Sequence, residues 1–171
     1  MATGTLVTVE EYLSTSYRPD WDYVDGRLVE RNCGEWSHGE LQVGIGSYLM
    51  SIRKSLGFYV GFEQRVQIAA TRFRVPDICV VLGSRPTTPI LHEPPFLCIE
   101  ILSTEDRASK VLKRIGDYLN FGVQYVWVID PKTREGTVYS SSGGWEAKDG
   151  VLTTRNPEIA VSLTDIYRSL E

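Results

Sequence analysis

Two carboxylates occupy positions where a buried strand would normally carry apolar residues. Asp77 stands at the start of the apolar run ICVV, and Glu100 interrupts the apolar run FLCIEIL. If the two runs pair as antiparallel strands closed by the turn-rich stretch between them, Asp77 lies opposite residue 101, one position from Glu100. The spacing therefore predicts that the two carboxylates lie close together at one end of a sheet.

A pair of neighbouring carboxylates points to metal-ion chemistry. A buried ionised carboxylate is costly unless it is paired or binds a cation, and two of them raise each other's pKa unless a divalent cation lies between them. Hard oxygen ligands on a rigid edge suit Mg²⁺ or Mn²⁺. The alternative is structural, with Asp77 capping a local turn after Pro76 and Glu100 pairing with a nearby arginine. Either residue alone favours the structural alternative, whereas the two together favour a metal site.

The elements that must position these side chains follow from the apolar spacing and the turn residues. Thr8 is predicted to be the N-cap of a short helix, with Glu11 at the third helical position. The other predicted elements are a hairpin around Asp25-Gly26 (22–30), an amphipathic helix over 37–56 ending near Gly57, strands over 58–69, 73–82 and 96–102, a helix over 104–122 with Thr104 as its N-cap, a strand over 125–131, a hairpin over 136–147 and a last helix over 162–170. The strand–helix–strand order of 96–131 predicts a parallel, right-handed crossover.

The composition is that of an ordinary soluble globular protein. The 171 residues are 42% hydrophobic and 23% charged, which predicts one mixed α/β domain over 1–171. The apolar runs are shorter than the roughly 20 residues of a membrane helix, and no secretory signal is visible, so we expect a cytoplasmic protein. Cys33, Cys79 and Cys98 form no Cys-x-x-Cys pair, which argues against a disulfide framework or a zinc site.

The order of these features resembles a known nuclease family. The stretches VPD, IEILS and YVWVIDP, with a basic helix before the last of them, are similar to those of the Uma-type putative restriction endonucleases, a family of the PD-(D/E)XK phosphodiesterase superfamily. The similarity runs from about Tyr12 to the C-terminus. It implies a restriction-endonuclease-like α/β core, in which helices flank a mixed central sheet and hairpins are added near both termini. It also implies hydrolysis of DNA phosphodiesters at a Mg²⁺ site formed by Asp77, Glu100 and the Ile101 carbonyl.

One position departs from the superfamily pattern. The pattern places a lysine two residues after the Glu, where this chain has Leu102. The resemblance implies that the following helix supplies the missing charge, because Arg114 stands at the spacing to Tyr118 at which relatives carry lysine. On a helical wheel, Arg114 lies at the border of the apolar face and Lys113 points to solvent. Arg114 cannot act as a general base, but it can stabilise charge that builds on a phosphate; a structural ion pair or a surface position is the alternative.

Further residues could join the site. His38 opens the long helix and could carry a proton or bind a phosphate, although a histidine near a helix start is also a common surface or capping residue. Glu63 and Gln64 lie on the neighbouring strand, and the alternation places Gln64 with the core-facing residues, so Gln64 is favoured as a water-mediated metal contact. Because the net charge is −4, DNA contact must be local. The candidate cations for it are Arg53, Lys54, Arg72, Arg74, Arg107, Lys110 and Arg114.

Three functions are compatible with these features. The first is a metal-dependent endonuclease that cuts DNA, expected to be a homodimer because cutting both strands of a duplex needs two sites; the family resemblance also implies pairing. The second is a catalytically inactive binding or assembly module that keeps the nuclease fold, which Leu102 and Arg114 would mark. The third is a hydrolase of some other phosphoester. Calorimetry with Mg²⁺ or Mn²⁺ separates the second from the other two, and plasmid cleavage separates the first from the third.

Overall fold

The computed structural model describes residues 6–31 and 35–171, so Cys33 lies outside the described residues. The helices are α1 (Val9–Ser14), α2 (Trp36–Leu56), α3 (Ala108–Phe121) and α4 (Leu163–Leu170). The strands are β1 (Asp22–Val24), β2 (Arg27–Val29), β3 (Phe58–Phe62), β4 (Val66–Ala69), β5 (Arg72–Arg74), β6 (Ile78–Leu82), β7 (Leu97–Ile101), β8 (Tyr125–Asp130), β9 (Glu135–Ser140), β10 (Gly143–Glu146), β11 (Val151–Thr153) and β12 (Ala160–Ser162).

A six-stranded mixed sheet forms the centre of the fold, in the order β10-β9-β8-β7-β6-β3. Strands β7 and β8 run parallel and are joined through α3, whereas the other neighbouring pairs of this sheet are antiparallel. A smaller sheet has the order β2-β1-β5-β4, and β11 pairs with β12. The predicted α/β class, the parallel crossover and the hairpins near the two ends are therefore confirmed.

Helices cover both faces of the central sheet. Leu41 and Ile45 of α2 pack with Ile99 of β7 on one face, where α4 adds Leu163 and Ile166. Val111, Ile115 and Tyr118 of α3 pack with Cys79 and Cys98 on the other face. Successive strand residues point to opposite faces, so Glu100 shares the α3 face with Cys98. Both cysteines are free and buried, as expected for small apolar residues of the core.

Two stretches that were predicted as single strands are each broken into two. The stretch 58–69 divides into β3 and β4 at Glu63, whose φ is +46°, and the two halves belong to different sheets. The stretch 73–82 divides into β5 and β6 at Val75–Asp77. Pro76 has no N–H for a strand ladder, and the Val75 N–H donates to the Asp22 side chain at 2.9 Å. The break places Asp77 at the junction of the small and central sheets.

The helix ends agree with the sequence except at one position. Thr8 caps α1 by accepting from the Glu11 N–H, and α2 and α3 end at the left-handed residues Gly57 and Gly122. Helix α3 starts at Ala108 rather than at the predicted Thr104 cap, because the Thr104 N–H and hydroxyl donate to the Glu35 carboxylate at 3.1 and 2.6 Å. Within the described ranges, every helix is too short or too polar to cross a bilayer.

Candidate active site

Asp77 and Glu100 occupy facing positions at the junction of the two sheets. Strands β6 and β7 pair so that Ile78 faces Ile99, and continuing this register by one residue places Asp77 opposite Glu100. The predicted register, with residue 101 opposite Asp77, was one residue off. Both carboxylates are only 2% exposed, so each needs compensation from the protein.

Asp77 is held by groups from three parts of the chain. Its Oδ1 atom accepts a short hydrogen bond from Arg31, which follows the β1–β2 hairpin. Its Oδ2 atom accepts from the Ile101 N–H at 2.7 Å and lies 3.3 Å from Nε2 of His38, in the first turn of α2. The side-chain amide of Gln42, one turn further along α2, donates to the Asp77 carbonyl at 3.0 Å. The surroundings therefore fix both the backbone and the carboxylate of this residue.

These contacts keep Asp77 ionised. Burial alone would raise its pKa, but the hydrogen bond with His38 and the charge of Arg31 outweigh burial and lower the pKa below its ordinary value. For His38 the balance is reversed, because burial lowers its pKa while the hydrogen bond to Asp77 and the charge of Asp77 raise it, and the net shift is upward. His38 therefore holds a proton beside Asp77 more readily than a free imidazole would.

Glu100 is held almost entirely by α3 and the loop before it. The Tyr118 hydroxyl donates to Oε1 at 2.6 Å, and Nη1 of Arg114 lies 3.4 Å from Oε2. Arg114 also donates to Asp106 through Nη2 at 3.2 Å. Two carboxylates thus share one guanidinium, so Glu100 receives less compensation than Asp77.

The pKa of Glu100 reflects this weaker compensation. Burial raises it to about 7, the charge of Arg114 opposes that rise, and the facing Asp77 adds to it. A carboxyl group with such a pKa is close to half protonated at neutral pH. Two facing carboxyl groups whose pKa values are pushed apart are frequent in active sites, although structural ion-pair networks also produce them.

The rotation of α3 brings Arg114 to Glu100. Val111, Ile115 and Tyr118 are buried, the Arg114 side chain is 12% exposed and Lys113 is exposed. The structure and the helical wheel agree on this rotation. Leu102, which stands where the superfamily pattern has lysine, is half-buried and packs against the core on the α3 side.

The donor set at this junction suits a small divalent cation in kind but is short of side-chain ligands. Within the part of the chain that the structure describes, no group of three or more His, Cys, Asp or Glu side chains is placed to hold a metal ion. Asp77 and Glu100 offer two hard carboxylates in facing positions, and a main-chain carbonyl such as that of Ile101 would complete a protein share of the kind Mg²⁺ uses with several waters. A cation bound there would share Asp77 with Arg31 and Glu100 with Arg114.

Four residues of this network were not proposed as site residues from the sequence. Arg31 and Tyr118 bond to the carboxylates, Asp106 bonds to Arg114, and Gln42 bonds to the main-chain carbonyl of Asp77. Tyr118 carried a usable signal, because it lies four residues after Arg114 and the same face of a helix repeats at that interval. The position of Arg31 carried none, since its contact with Asp77 spans 46 residues of sequence.

The prediction that favoured Gln64 over Glu63 as a water-mediated metal contact stays a prediction. Gln64 is half-buried and Glu63 is exposed, which agrees with the predicted alternation. The Gln64 amide donates to the Pro89 carbonyl at 2.6 Å. The Glu63 N–H donates to the Asp77 carbonyl at 3.1 Å, and Glu63 lines an outer groove with His38. The positive φ of Glu63 breaks the strand at this point.

The candidate DNA-binding cations fall into three groups. Arg72 and Arg74 are engaged within the fold, by Asp25 at 2.7 Å and by Asp22 at 2.7 Å. Arg53 and Lys54 lie in the last turn of α2, about 20 Å along the helix axis from His38. Arg107 and Lys110 are exposed at the start of α3, and the last candidate, Arg114 of the same helix, pairs with Glu100.

The fold is that of a restriction-endonuclease-like nuclease family. A model of the Uma2 family, described as "Putative restriction endonuclease", matches residues 9–167, and the chain belongs to this family. A solved relative is the crystal structure of a putative nuclease belonging to DUF820 from Anabaena variabilis ATCC 29413, at 25% sequence identity and a TM-score of 0.83, covering 96% of this chain and 99% of that chain. A search of curated proteins gave no significant match.

Proposed function

We propose that this protein is a metal-dependent endonuclease that hydrolyses DNA phosphodiester bonds at the Asp77–Glu100 pair. The observation that carries the proposal is the facing position of two buried carboxyl groups, with Arg114 reaching one of them from α3. The family and the nuclease-fold relative support this reading.

Asp77, Glu100 and the Ile101 carbonyl are the proposed ligands of Mg²⁺ or Mn²⁺. When bound, such an ion would activate a water molecule and neutralise charge on the phosphate. The chain prepares the ligands before any ion binds. The Ile101 N–H fixes the direction of the Asp77 carboxylate, and the Tyr118 hydroxyl fixes that of Glu100.

Arg114 is proposed to stabilise the charge that develops on the phosphate. It stays protonated and cannot remove a proton from water, so its part is electrostatic. Its Nε atom is buried and lacks a hydrogen-bond partner among the described residues, so one donor of the guanidinium is unsatisfied. Asp106 holds the side chain beside Glu100 through Nη2.

His38 is proposed as the proton carrier of the site. Its imidazole lies 3.3 Å from Asp77, and the hydrogen bond and charge of Asp77 raise its pKa above the ordinary value against the effect of burial. A positioned histidine of this kind can hold a proton for an oxygen that gains charge during the reaction. Arg31 is proposed to position Asp77, since it pairs with the other carboxylate oxygen, Oδ1.

The test of the proposal is cleavage of supercoiled plasmid DNA with Mg²⁺ or Mn²⁺. We expect nicked and linear products from the parent protein and none from the matched variants Asp77→Asn and Glu100→Gln. Chelation with EDTA should abolish cleavage by the parent. An intact plasmid with every divalent metal tried would reject the nuclease proposal.

A second function is favoured by a specific feature, the two arginines that already neutralise the carboxylates. Arg31 and Arg114 supply at Asp77 and Glu100 the positive charge that a metal would otherwise supply, and Leu102 removes the usual lysine. The alternative is therefore a binding or assembly module that keeps the fold without catalysis. Isothermal titration calorimetry with Mn²⁺ separates the two, because the nuclease requires a binding isotherm that Asp77→Asn abolishes.

We also propose that the protein works as a homodimer. Cutting both strands of a duplex needs two sites, and two-fold symmetry supplies them. Light scattering at tens of micromolar protein should give twice the chain mass of 19.3 kDa. A mass near 19.3 kDa would contradict the proposal.

A further inference from the structure

A cleft of about 250 Å³ lies between the β1–β2 hairpin and α3, beside the carboxylate pair. Val24 and Val29 of the hairpin form its apolar side, and Lys110, Lys113 and Arg114 of α3 form its charged side. Arg114 lines the cleft and also pairs with Glu100, so one side chain connects the cleft with the candidate active site.

The charges of this cleft are unevenly compensated. Arg74 pairs with Asp22 and Asp117, and Arg114 pairs with Glu100 and Asp106. Arg27, Lys110 and Lys113 are exposed cations of the cleft. Over the ranges 6–31 and 35–171, none of these three forms an ion pair.

Three such cations face one exposed carboxylate, Glu30, at the cleft. Lys110 and Lys113 are three residues apart on α3, which places them on one face of the helix. The local surface is therefore positive although the whole chain carries a net charge of −4. A positive surface with this composition attracts an anion by local rather than global charge.

The size of the cleft limits the anion. Pockets for drug-sized ligands usually start at about 300 Å³, so a cavity of 250 Å³ suits a group no larger than one sugar-phosphate unit. The two valines offer an apolar wall for a sugar, and the three cations offer donors for a phosphate. These are contacts that position a nucleic-acid backbone without reading its sequence.

We propose that this cleft binds a backbone phosphate of the DNA strand, next to the one that is cut, through Arg27, Lys110 and Lys113. The inference rests on the proposed function, because it assigns to the proposed nuclease site a phosphate contact that positions the DNA strand along the protein. It also narrows the DNA-binding surface to the hairpin and α3, and excludes Arg53 and Lys54 at the far end of α2.

The experiment measures DNA binding without cleavage. A fluorescein-labelled duplex of about 20 base pairs is titrated with the full chain in EDTA, and anisotropy is followed from about 50 to 200 mM salt. The double variant Lys110→Ala/Lys113→Ala should bind about tenfold more weakly, and the slope of log affinity against log salt should fall by about one, the value of one phosphate contact. Arg27→Ala should weaken binding in the same direction.

The matched control is Arg53→Ala/Lys54→Ala, which removes the same number of cations from a helix surface. It should bind as the parent does. Circular dichroism should show all variants folded, because the substituted side chains lie on the surface. Polyglutamate added as a competitor should displace the DNA poorly, since it lacks the sugar-phosphate unit.

The outcomes separate the cleft from the nuclease proposal. Equal binding by the parent and the Lys110→Ala/Lys113→Ala variant, a loss confined to the Arg53→Ala/Lys54→Ala variant, or no DNA binding by the parent would each overturn the cleft proposal. Efficient competition by polyglutamate would show that the cleft takes an acidic peptide instead. If the expected binding pattern is found but no metal supports cleavage, the cleft stands and the nuclease proposal fails.

Discussion

The two buried carboxyl groups of the site, which define its Asp77 half and its Glu100 half, are compensated by different sets of donors. The Asp77 half uses Arg31, His38 and a main-chain N–H, which come from the hairpin, α2 and β7. The Glu100 half draws its partners, Tyr118 and Arg114, from α3 alone, and Arg114 is shared with Asp106. Although both carboxyl groups are buried to the same degree, the pKa of Asp77 is lowered and that of Glu100 is raised to about 7.

The difference shows that burial does not by itself decide the charge of a carboxyl group. Each group loses the same water, and the number and sharing of its donors then set the sign of the pKa shift. Asp77 is the ionised anchor of the junction, whereas Glu100 changes its charge near neutral pH. A cation that binds there would therefore find Asp77 already ionised, and its charge would favour loss of the proton from Glu100.

The largest effect should come from replacing Asp77. Asp77→Asn removes the charge that Arg31 and His38 share, and breaking a buried ion pair costs about 3 to 5 kcal/mol of unfolding free energy. The matched variant Glu100→Gln should not lower the unfolding free energy at pH 7, because Gln resembles the protonated carboxyl group, still accepts from Tyr118 and avoids the cost of ionising Glu100. Urea denaturation of both variants measures this contrast, and equal losses would show that the two halves are held alike.

The next largest effect concerns Arg114. Arg114→Ala should lower Mn²⁺-dependent plasmid cleavage about a hundredfold, the scale of one lost transition-state donor. Arg114→Lys should keep a good part of the activity, because Lys keeps the positive charge and the proposed role does not require the side chain to lose a proton. Lys54→Ala, a cation near the end of α2, should cleave as the parent does. Full cleavage by Arg114→Ala would remove this residue from the proposed machinery.

The sequence was sufficient for the fold class and for the approximate meeting of Asp77 with Glu100. The apolar runs fixed which strands pair, and the turn-rich stretch of 83–95 between them set the register to within one residue. The helical wheel of α3 predicted the position of Arg114 because apolar residues recur regularly along this helix. The structure shows the same rotation of the helix at Arg114.

The rest depended on contacts between distant parts of the chain. Arg31 and Asp77 are 46 residues apart in the sequence. Thr104 donates to Glu35, 69 residues away, instead of capping α3 as predicted. Neither contact has a local pattern. The positive φ of Glu63 likewise follows from the divergence of two sheets, which alternation along one strand cannot indicate.

The pH dependence of stability should differ in sign between the two halves. The folded-state pKa of Glu100 lies above its ordinary value of 4.5, so its stabilisation is complete below about pH 4.5 and is lost as pH rises through about 7. The pKa of Asp77 is lowered, so its stabilisation is lost only as pH falls below its ordinary value of 3.8.

Urea denaturation of the metal-free protein between pH 5 and 8 measures the Glu100 part. The parent should lose stability relative to Glu100→Gln by up to about 1.4 kcal/mol per pH unit. Parallel curves for the two proteins would mean that Glu100 is already ionised at pH 5. A midpoint close to pH 7 would support the value that burial imposes.

The smallest effect should come from the one donor to Glu100 that a conservative substitution can remove. Tyr118→Phe deletes the hydroxyl 2.6 Å from Oε1 and keeps the ring in the core. Burial raises the pKa of Glu100, and the hydrogen bond from Tyr118 opposes that rise. Loss of this hydrogen bond should therefore move the midpoint of the pH curve upward. It should also cost about 1 kcal/mol of unfolding free energy. Tyr48→Phe is the control, since the Tyr48 hydroxyl donates at 2.9 Å to the Ala160 carbonyl, away from the site. It should leave the midpoint unchanged. An unmoved midpoint in Tyr118→Phe would mean that the charges of Arg114 and Arg31 oppose burial without the help of this hydrogen bond, and that the Glu100 half depends on a single direct donor while the Asp77 half depends on three.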